Sequence, residues 1–374
     1  MFILYLYLHI QTSAFKFAHQ HIRILNMNIA FDAKRVYNNS TGLGHYSRTL
    51  ISSLAAYYPQ EEYFLCAPKI TNRFNAAAFQ NVHTVTPQQF PSTLFKAAWR
   101  SSWVKKDLKQ LNIDLYHGLS HEIPVGIEKT GIKSVVTVHD LIFERYPKQY
   151  NFIDVQIYRK KFRNACMHAD KIIAISNQTK KDIIEFYKIP GNKISVCYQS
   201  CDPAFGIERT NVEKKRISKK YNLPDQFFLS VGSVIERKNL LTVCKALFLV
   251  KGKLNIPLVI IGEGGKYKQE VINFINANGI QDQVIFLSEK YSFDSSEDFP
   301  AIYQQALCMI YPSIFEGFGI PVLEALWSRI PVITSNVSCL PEAGGGGALY
   351  VDPLNAEQMR AAVLQVSTDN NLRN

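Results

Sequence analysis

From residue 27 onward, short apolar runs alternate with longer amphipathic stretches. The runs at 28–31, 63–66, 115–117, 135–139, 171–175 and 194–197 have the length and apolar density of buried strands. Between them, residues 44–58, 95–111, 154–168 and 177–187 place apolar side chains at helical spacing. Alternation of this kind predicts parallel α/β units. A polar stretch from about residue 202 to 225 then interrupts the rhythm with Glu213-Lys-Lys-Arg216 and Lys219-Lys220. It reads as an inter-domain connection carrying a solvated helix. Beyond it the alternation restarts, with strands predicted at 227–231, 257–262, 284–287, 309–311, 332–334 and 348–351. Helices are predicted at 239–250, 266–278, 297–307, 320–328 and 355–367. Two such halves predict an α/β protein of two Rossmann-like domains facing each other, with ligands at the carboxyl ends of their strands. The expected boundaries are 27–205, a connection at 206–225, and 226–374.

Residues 1–26 break the pattern. They open Met-Phe-Ile-Leu-Tyr-Leu-Tyr-Leu, hold no acidic residue, and lack the basic lead and small-residue cleavage site of a signal peptide. The expectation is an extension outside the fold, with the folded chain starting at Met27.

Length and composition agree with two domains: 374 residues, 47% hydrophobic and 20% charged. No apolar run approaches the roughly 20 residues that span a bilayer. The formal charge of +11 favours anionic partners without choosing among them. Zinc-finger spacing and aromatic RNA-binding signatures are missing, so nucleic acid is not an expected partner. The seven cysteines are scattered, and reduced thiols in a cytoplasmic protein are the expected state.

The most informative segment is Glu316-Gly-Phe-Gly-Ile-Pro-Val-Leu-Glu324, after the apolar run ending Ile310-Tyr-Pro-Ser313. Gly317 and Gly319 permit a tight turn around Phe318, and Pro321 suits the first turn of a helix. Glu316 then lies in a loop above a strand end and Glu324 about one turn into the helix, where carboxylates accept hydrogen bonds from sugar hydroxyls. Acidic residues favoured by a helix dipole are the plainer explanation. Arg237 and Lys238 follow Gly232 and Ser233 after another strand, and adjacent cations there suit a departing diphosphate. Gly42 and Gly44 open a helix after the first strand, where the backbone can approach a phosphate. His139, with Asp140 after it, ends a buried strand; a satisfied structural histidine is the ordinary alternative.

Together these segments resemble the retaining glycosyltransferases of family 4, which have the GT-B fold. The two glutamates match that family's E-x7-E signature. Val231-Gly-Ser233 with Glu236-Arg-Lys-Asn239 resembles its basic strand–loop–helix. Val259-Ile-Ile-Gly262-Glu-Gly264 and Leu349-Tyr-Val-Asp-Pro353 resemble its following segments. The resemblance runs from about Met27 to the end of the chain. It implies a nucleotide-sugar co-substrate with no other cofactor, and a saccharide or lipid-linked acceptor. It implies catalytic roles for His139, Arg237, Lys238 and Glu316. Donor-binding roles fall to Gly42, Gly44, Gly232, Ser233, Gly262, Gly317, Phe318, Gly319 and Glu324. Retention would come from departure and attack on one face, with Arg237 and Lys238 in place of a metal, since no Asp-x-Asp occurs. A sugar-nucleotide epimerase, a phosphorylase or a non-catalytic chain are the alternatives. Members usually continue with a helix crossing back to the N-terminal domain, and 226–374 is expected to lack it.

The segment 95–111 carries Phe95, Trp99, Trp103, Leu108 and Leu111 among lysines. It reads as a core-packed helix with a basic solvent face, or as a helix touching an anionic membrane from the cytoplasmic side.

Overall fold

The computed structural model describes residues 26–39, 42–88, 91–293 and 297–369. Apart from residue 26, the expected extension lies outside them. The chain divides between Gln199 and Ser200 into two compact units.

The first unit is a seven-stranded sheet with every pair parallel, in the order β3-β2-β1-β4-β5-β6-β7. Its strands are β1 (Asn28–Asp32), β2 (Glu62–Cys66), β3 (Val82–Val85), β4 (Leu115–Gly118), β5 (Lys133–Val138), β6 (Lys171–Ala174) and β7 (Ile194–Val196). Helices α1 (Gly42–Tyr57), α2 (Val104–Gln110), α3 (Phe152–His168) and α4 (Asn177–Tyr187) connect them. Strand alternation sends Ala30, Val136, Val138 and Ile172 to one core, with Trp99, Leu108 and Phe162. Ile29, Phe31, Val135 and Ile173 go to the other, with Ile51 and Leu54. Burial on both faces explains why these strands read as continuous apolar runs.

The second unit has six parallel strands in the order β10-β9-β8-β11-β12-β13. They are β8 (Phe228–Val231), β9 (Leu258–Ile261), β10 (Val284–Phe286), β11 (Cys308–Tyr311), β12 (Val332–Ser335) and β13 (Ala348–Val351). The principal helices are α5 (Asn211–Tyr221), α6 (Leu240–Leu249), α7 (Lys266–Asn278), α8 (Ile320–Trp327) and α9 (Ala356–Thr368). In each unit the chain order reverses beside the first strand, between β1 and β4 and between β8 and β11. Loops there diverge and leave a crevice at the strand ends.

Two expectations are corrected. The stretch 206–225 is not a free connection, because α5 is packed into the second unit. Its Ile217 and Tyr221 are buried, Tyr221 stacks on Phe293 at 5.0 Å, and its hydroxyl donates to Asp298 at 2.8 Å. The segment 95–111 is not one regular helix either. A π-helical turn over Trp99–Trp103 separates a short turn at Lys96–Ala98 from α2. The wider turn shifts the phase, so Trp99 enters the core while Phe95 and Trp103 stay exposed.

Candidate active site

In the second unit, the loops after β8 and β11 meet at the reversal of strand order. After β8, Gly232 takes a positive φ of 135°, and Asn239 caps the start of α6 in the left-handed region at φ 57°. Asn239 is held there by its side-chain amide, which donates to the carbonyls of Pro312 and Pro353 at 3.3 and 2.5 Å. The short 3-10 turn Glu236–Lys238 therefore presents Arg237 and Lys238 in a fixed direction. A backbone bond from Ile314 N to Arg237 O at 2.8 Å ties this turn to the loop after β11.

Glu316 receives both cations. Its Oε1 lies 2.8 Å from Arg237 Nη1 and 2.6 Å from Lys238 Nζ. The same oxygen accepts from Ser313 Oγ at 2.7 Å and from the Tyr311 hydroxyl at 3.2 Å. Lys238 also donates to that hydroxyl and sits 4.5 Å over the Tyr311 ring, while Arg237 donates to Phe315 O. Burial opposes the charge on Glu316, but Lys238 and Arg237 reverse the effect and hold its pKa below the ordinary glutamate value. Burial lowers the Lys238 pKa, with Glu316 acting in the opposite sense. Two cations against one carboxylate leave the cluster with one net positive charge, and Gly232, Ser233, Lys238 and Tyr311 line a small hollow beside it.

The glycines have separate reasons. A side chain on Gly262 would stand 1.9 Å from the Gly232 carbonyl, so the loops after β8 and β9 approach closely only without one. Gly319 precedes α8 with φ 110°. Gly317 and Phe318 lie in the turn between the two glutamates, and the Phe318 carbonyl accepts from Cys339 Sγ at 3.1 Å. Glu324, though in the same motif, has different company. The Tyr303 hydroxyl donates to its Oε2 at 2.7 Å, and burial raises its pKa to about 7 against that hydrogen bond.

In the first unit, His139 follows β5. Its Nε2–H donates to Leu119 O at 2.8 Å, and its Nδ1 accepts from the Gln199 amide at 2.9 Å. Burial lowers its pKa to about 4, against the bond to Leu119. The imidazole is thus neutral, in one tautomer, with both nitrogens engaged. The Tyr46 ring packs edge-on against it at 4.8 Å, which joins His139 to the helix opened by Gly42 and Gly44. Gly44 donates its amide to Asn39 Oδ1 at 3.0 Å, and a side chain there would stand 2.1 Å from Asn39 O. Asp140 Oδ1 accepts from Ile142 N at 3.1 Å.

Tyr311, Ser313, Tyr303, Asn239, His121 and Gln199 were not singled out from sequence. Tyr311 and Ser313 had a signal in their position at the end of a strand, directly before Glu316. Gln199 had none. His121 combines φ 65° with stacking on Phe162 at 4.2 Å, and its Nδ1 accepts from His139 N at 3.3 Å.

Comparison with known proteins agrees with this arrangement. Residues 211–374 match the family described as Glycosyl transferases group 1, and residues 41–205 match Glycosyltransferase Family 4. The O-antigen chain mannosyltransferase B of Escherichia coli is 27% identical over 363 residues, which are 93% of this chain and 92% of that one. Among solved structures, Anabaena Alr3699/HepE in complex with UDP-glucose aligns with a TM-score of 0.69 and 15% identity over 93% of this chain and 92% of the other. A glycosyltransferase from Rickettsia africae ESF-5 aligns with the same TM-score and 18% identity, over 93% of this chain and 90% of its own. With two Rossmann-like units, a cation pair and an E-x7-E loop at the strand-order reversal, and both family matches, the chain belongs to the family 4 glycosyltransferases of the GT-B fold.

Proposed function

We propose that this glycosyltransferase transfers mannose from a nucleoside-diphosphate donor to a growing bacterial surface polysaccharide or its lipid-linked precursor, with retention and without a metal ion. The observation that carries the reading is the convergence of Arg237 and Lys238 on Glu316 at the strand-order reversal of the second unit. A diphosphate entering there exchanges for the carboxylate as partner of the two cations, and Glu316 becomes available to sugar hydroxyls. As the glycosidic bond breaks, the charge developing on the leaving phosphate is met by Arg237 and Lys238, the service a metal performs elsewhere. The acceptor hydroxyl attacks on the face the nucleotide leaves, and its proton passes to the departing phosphate oxygen. Glu324 holds donor hydroxyls, and the glycine turns let backbone approach the ligand. His139, neutral and held at both nitrogens, contributes shape and position rather than proton transfer. Mannose rests on the name of the Escherichia coli relative, and the nucleotide-sugar donor on the UDP-glucose complex of the Anabaena protein.

The test is transfer from GDP-mannose, with UDP-sugars as controls, to a lipid-linked glycan acceptor in the presence of EDTA. The expected result is nucleoside diphosphate released only with acceptor, and an α-linked product from an α-linked donor. Loss of activity in EDTA with recovery in Mg²⁺ or Mn²⁺ rules out the metal-free route. Inversion rules out retention, and an epimerised nucleotide sugar without acceptor overturns transfer itself.

A further inference from the structure

The turn that carries Glu316 is gripped by a third loop. β12 lies beside β11 in parallel register, with Tyr311 opposite Thr334, so the loops after the two strands leave the sheet side by side. From the loop after β12, Ser338 reaches the backbone of Glu316 on both sides of its Cα. The Glu316 N–H donates to Ser338 Oγ at 3.3 Å, and the Ser338 hydroxyl donates to the Glu316 carbonyl at 3.0 Å. One hydroxyl thus engages the two peptide groups that flank this residue, and those groups set the direction of its Cα–Cβ bond. Cys339, fully buried, adds a second hold: its Sγ lies 3.1 Å from the carbonyl oxygens of both Glu316 and Phe318. Burial and the nearby Glu316 charge push its pKa up, so it stays a thiol and its S–H remains a donor. Leu340 closes the contact, since a side chain on Gly319 would stand 2.9 Å from its Cδ2.

This grip has a local cost. Ser338 takes φ 59°, in the left-handed region that disfavours a residue with a Cβ. Strain of this kind persists where surrounding contacts over-determine it, and it collects at functional sites. The contacts of the Glu316 carboxylate are of another kind. Arg237, Lys238, Ser313 and Tyr311 hold its Oε1, and under the proposed function a diphosphate takes the two cations from it. The bonds from Ser338 and Cys339 are made to backbone and involve neither cation.

We infer that Ser338, supported by Cys339, is a positioning residue for transfer: it keeps Glu316 aimed at the donor sugar after a diphosphate has displaced its carboxylate from Arg237 and Lys238. The inference rests on the proposed function for that exchange, and on the hydrogen bonds alone for the clamp.

Ser338→Gly separates positioning from folding. Glycine adopts φ 59° freely, so the change removes strain together with the hydroxyl. Its melting temperature should stay within about 3 °C of the parent. Hydrogen exchange of the full chain, without ligand, should quicken at least about tenfold over residues 314–319 and remain parental in β8. With GDP-mannose and a lipid-linked acceptor, kcat should fall at least about tenfold, while affinity for free GDP changes less than about twofold. Cys339→Ala, which leaves the Ser338 bonds in place, should show the same pattern at smaller amplitude. Parental exchange at 314–319 in both variants overturns the clamp, and faster exchange with parental kcat overturns its role in transfer. A Ser338→Gly protein that melts far below the parent and also loses GDP affinity assigns the contacts to folding instead. A parent that transfers from no donor counts against the proposed function, and the exchange measurement then decides the clamp by itself.

Discussion

Lys238 Nζ and Glu316 Oε1 are 2.6 Å apart, both side chains largely buried, although 78 positions separate them in the chain. A buried ion pair contributes little net stability against a well-packed apolar pair, but breaking one side of it is costly. The second cation on the same oxygen moderates that cost. The carboxylate offsets the two buried cations in the fold as it stands, and under the proposed function it is the partner that a diphosphate displaces.

Lys238→Met is therefore expected to lower stability by about 1–3 kcal/mol and nucleoside-diphosphate affinity by about tenfold or more. Glu316→Gln in the same background should recover much of the stability and none of the affinity. Glu316→Gln alone should bind free nucleoside diphosphate at least as tightly as the parent while losing transfer. Urea melts and diphosphate titrations of the four proteins measure the coupling. Additive effects would show that the two residues do not act as a unit.

Glu324 makes a pH prediction. Its folded pKa, near 7, lies above the ordinary value of 4.5. Between those values the unfolded chain has released the proton that the folded chain retains, so this group's contribution is full below pH 4.5 and is lost as pH rises through 7. Glu324→Gln should consequently stabilise the protein by about 1–3 kcal/mol at pH 8 relative to pH 5. A shift of the same size at both pH values would contradict the raised pKa.

The buried histidines act with the opposite sign. Burial lowers His117 to about 3 and His139 to about 4, and holds His121 well below 6.5. Each takes up a proton on unfolding, so their stabilisation is complete above pH 6.5 and is lost as pH falls toward 4. Three such groups outweigh Glu324 in that window. Stability should fall on acidification with a slope of up to about 1.4 kcal/mol per pH unit for each histidine. A pH-independent melting temperature between 6.5 and 5 would mean that the imidazoles are reached by water or acid partners in the folded chain.

Gly262→Ala tests the close approach of two loops. With its new methyl 1.9 Å from the Gly232 carbonyl, the β8 and β9 loops must separate. A loss of about 2–4 kcal/mol is expected, together with weaker nucleotide binding. Gly346→Ala, with open space around its Cβ, should stay within about 0.5 kcal/mol of the parent. Equal melting curves for the two variants would remove the packing explanation.

The sequence by itself determined the α/β alternation, the two halves, and the loops that carry chemistry. Those features are local: strand periodicity, glycine turns and adjacent charges are written in consecutive residues. It also supplied Arg237, Lys238 and Glu316 as candidates. Which of them meet was decided only by tertiary structure, because strand order places β11 beside β8 across about 80 residues of intervening chain. The same holds for the motif's two glutamates. Equal in sequence terms, they differ in pKa because two cations offset the burial of Glu316, whereas burial of Glu324 raises its pKa with no cation to offset it and only the Tyr303 hydroxyl acting against it. The tertiary fold also made the 206–225 stretch part of the second unit, since the aromatic ring that covers Tyr221 lies some 70 residues downstream of it. And it divided the 95–111 segment at a π turn, which takes Trp103 off the face that a regular helix would share with Trp99, so that Trp99 is buried and Trp103 is not. Contacts between distant residues set both burial and pairing: burial shifts Glu324 and His139 toward their neutral forms, while Lys238 and Arg237 hold Glu316 in its charged form against burial.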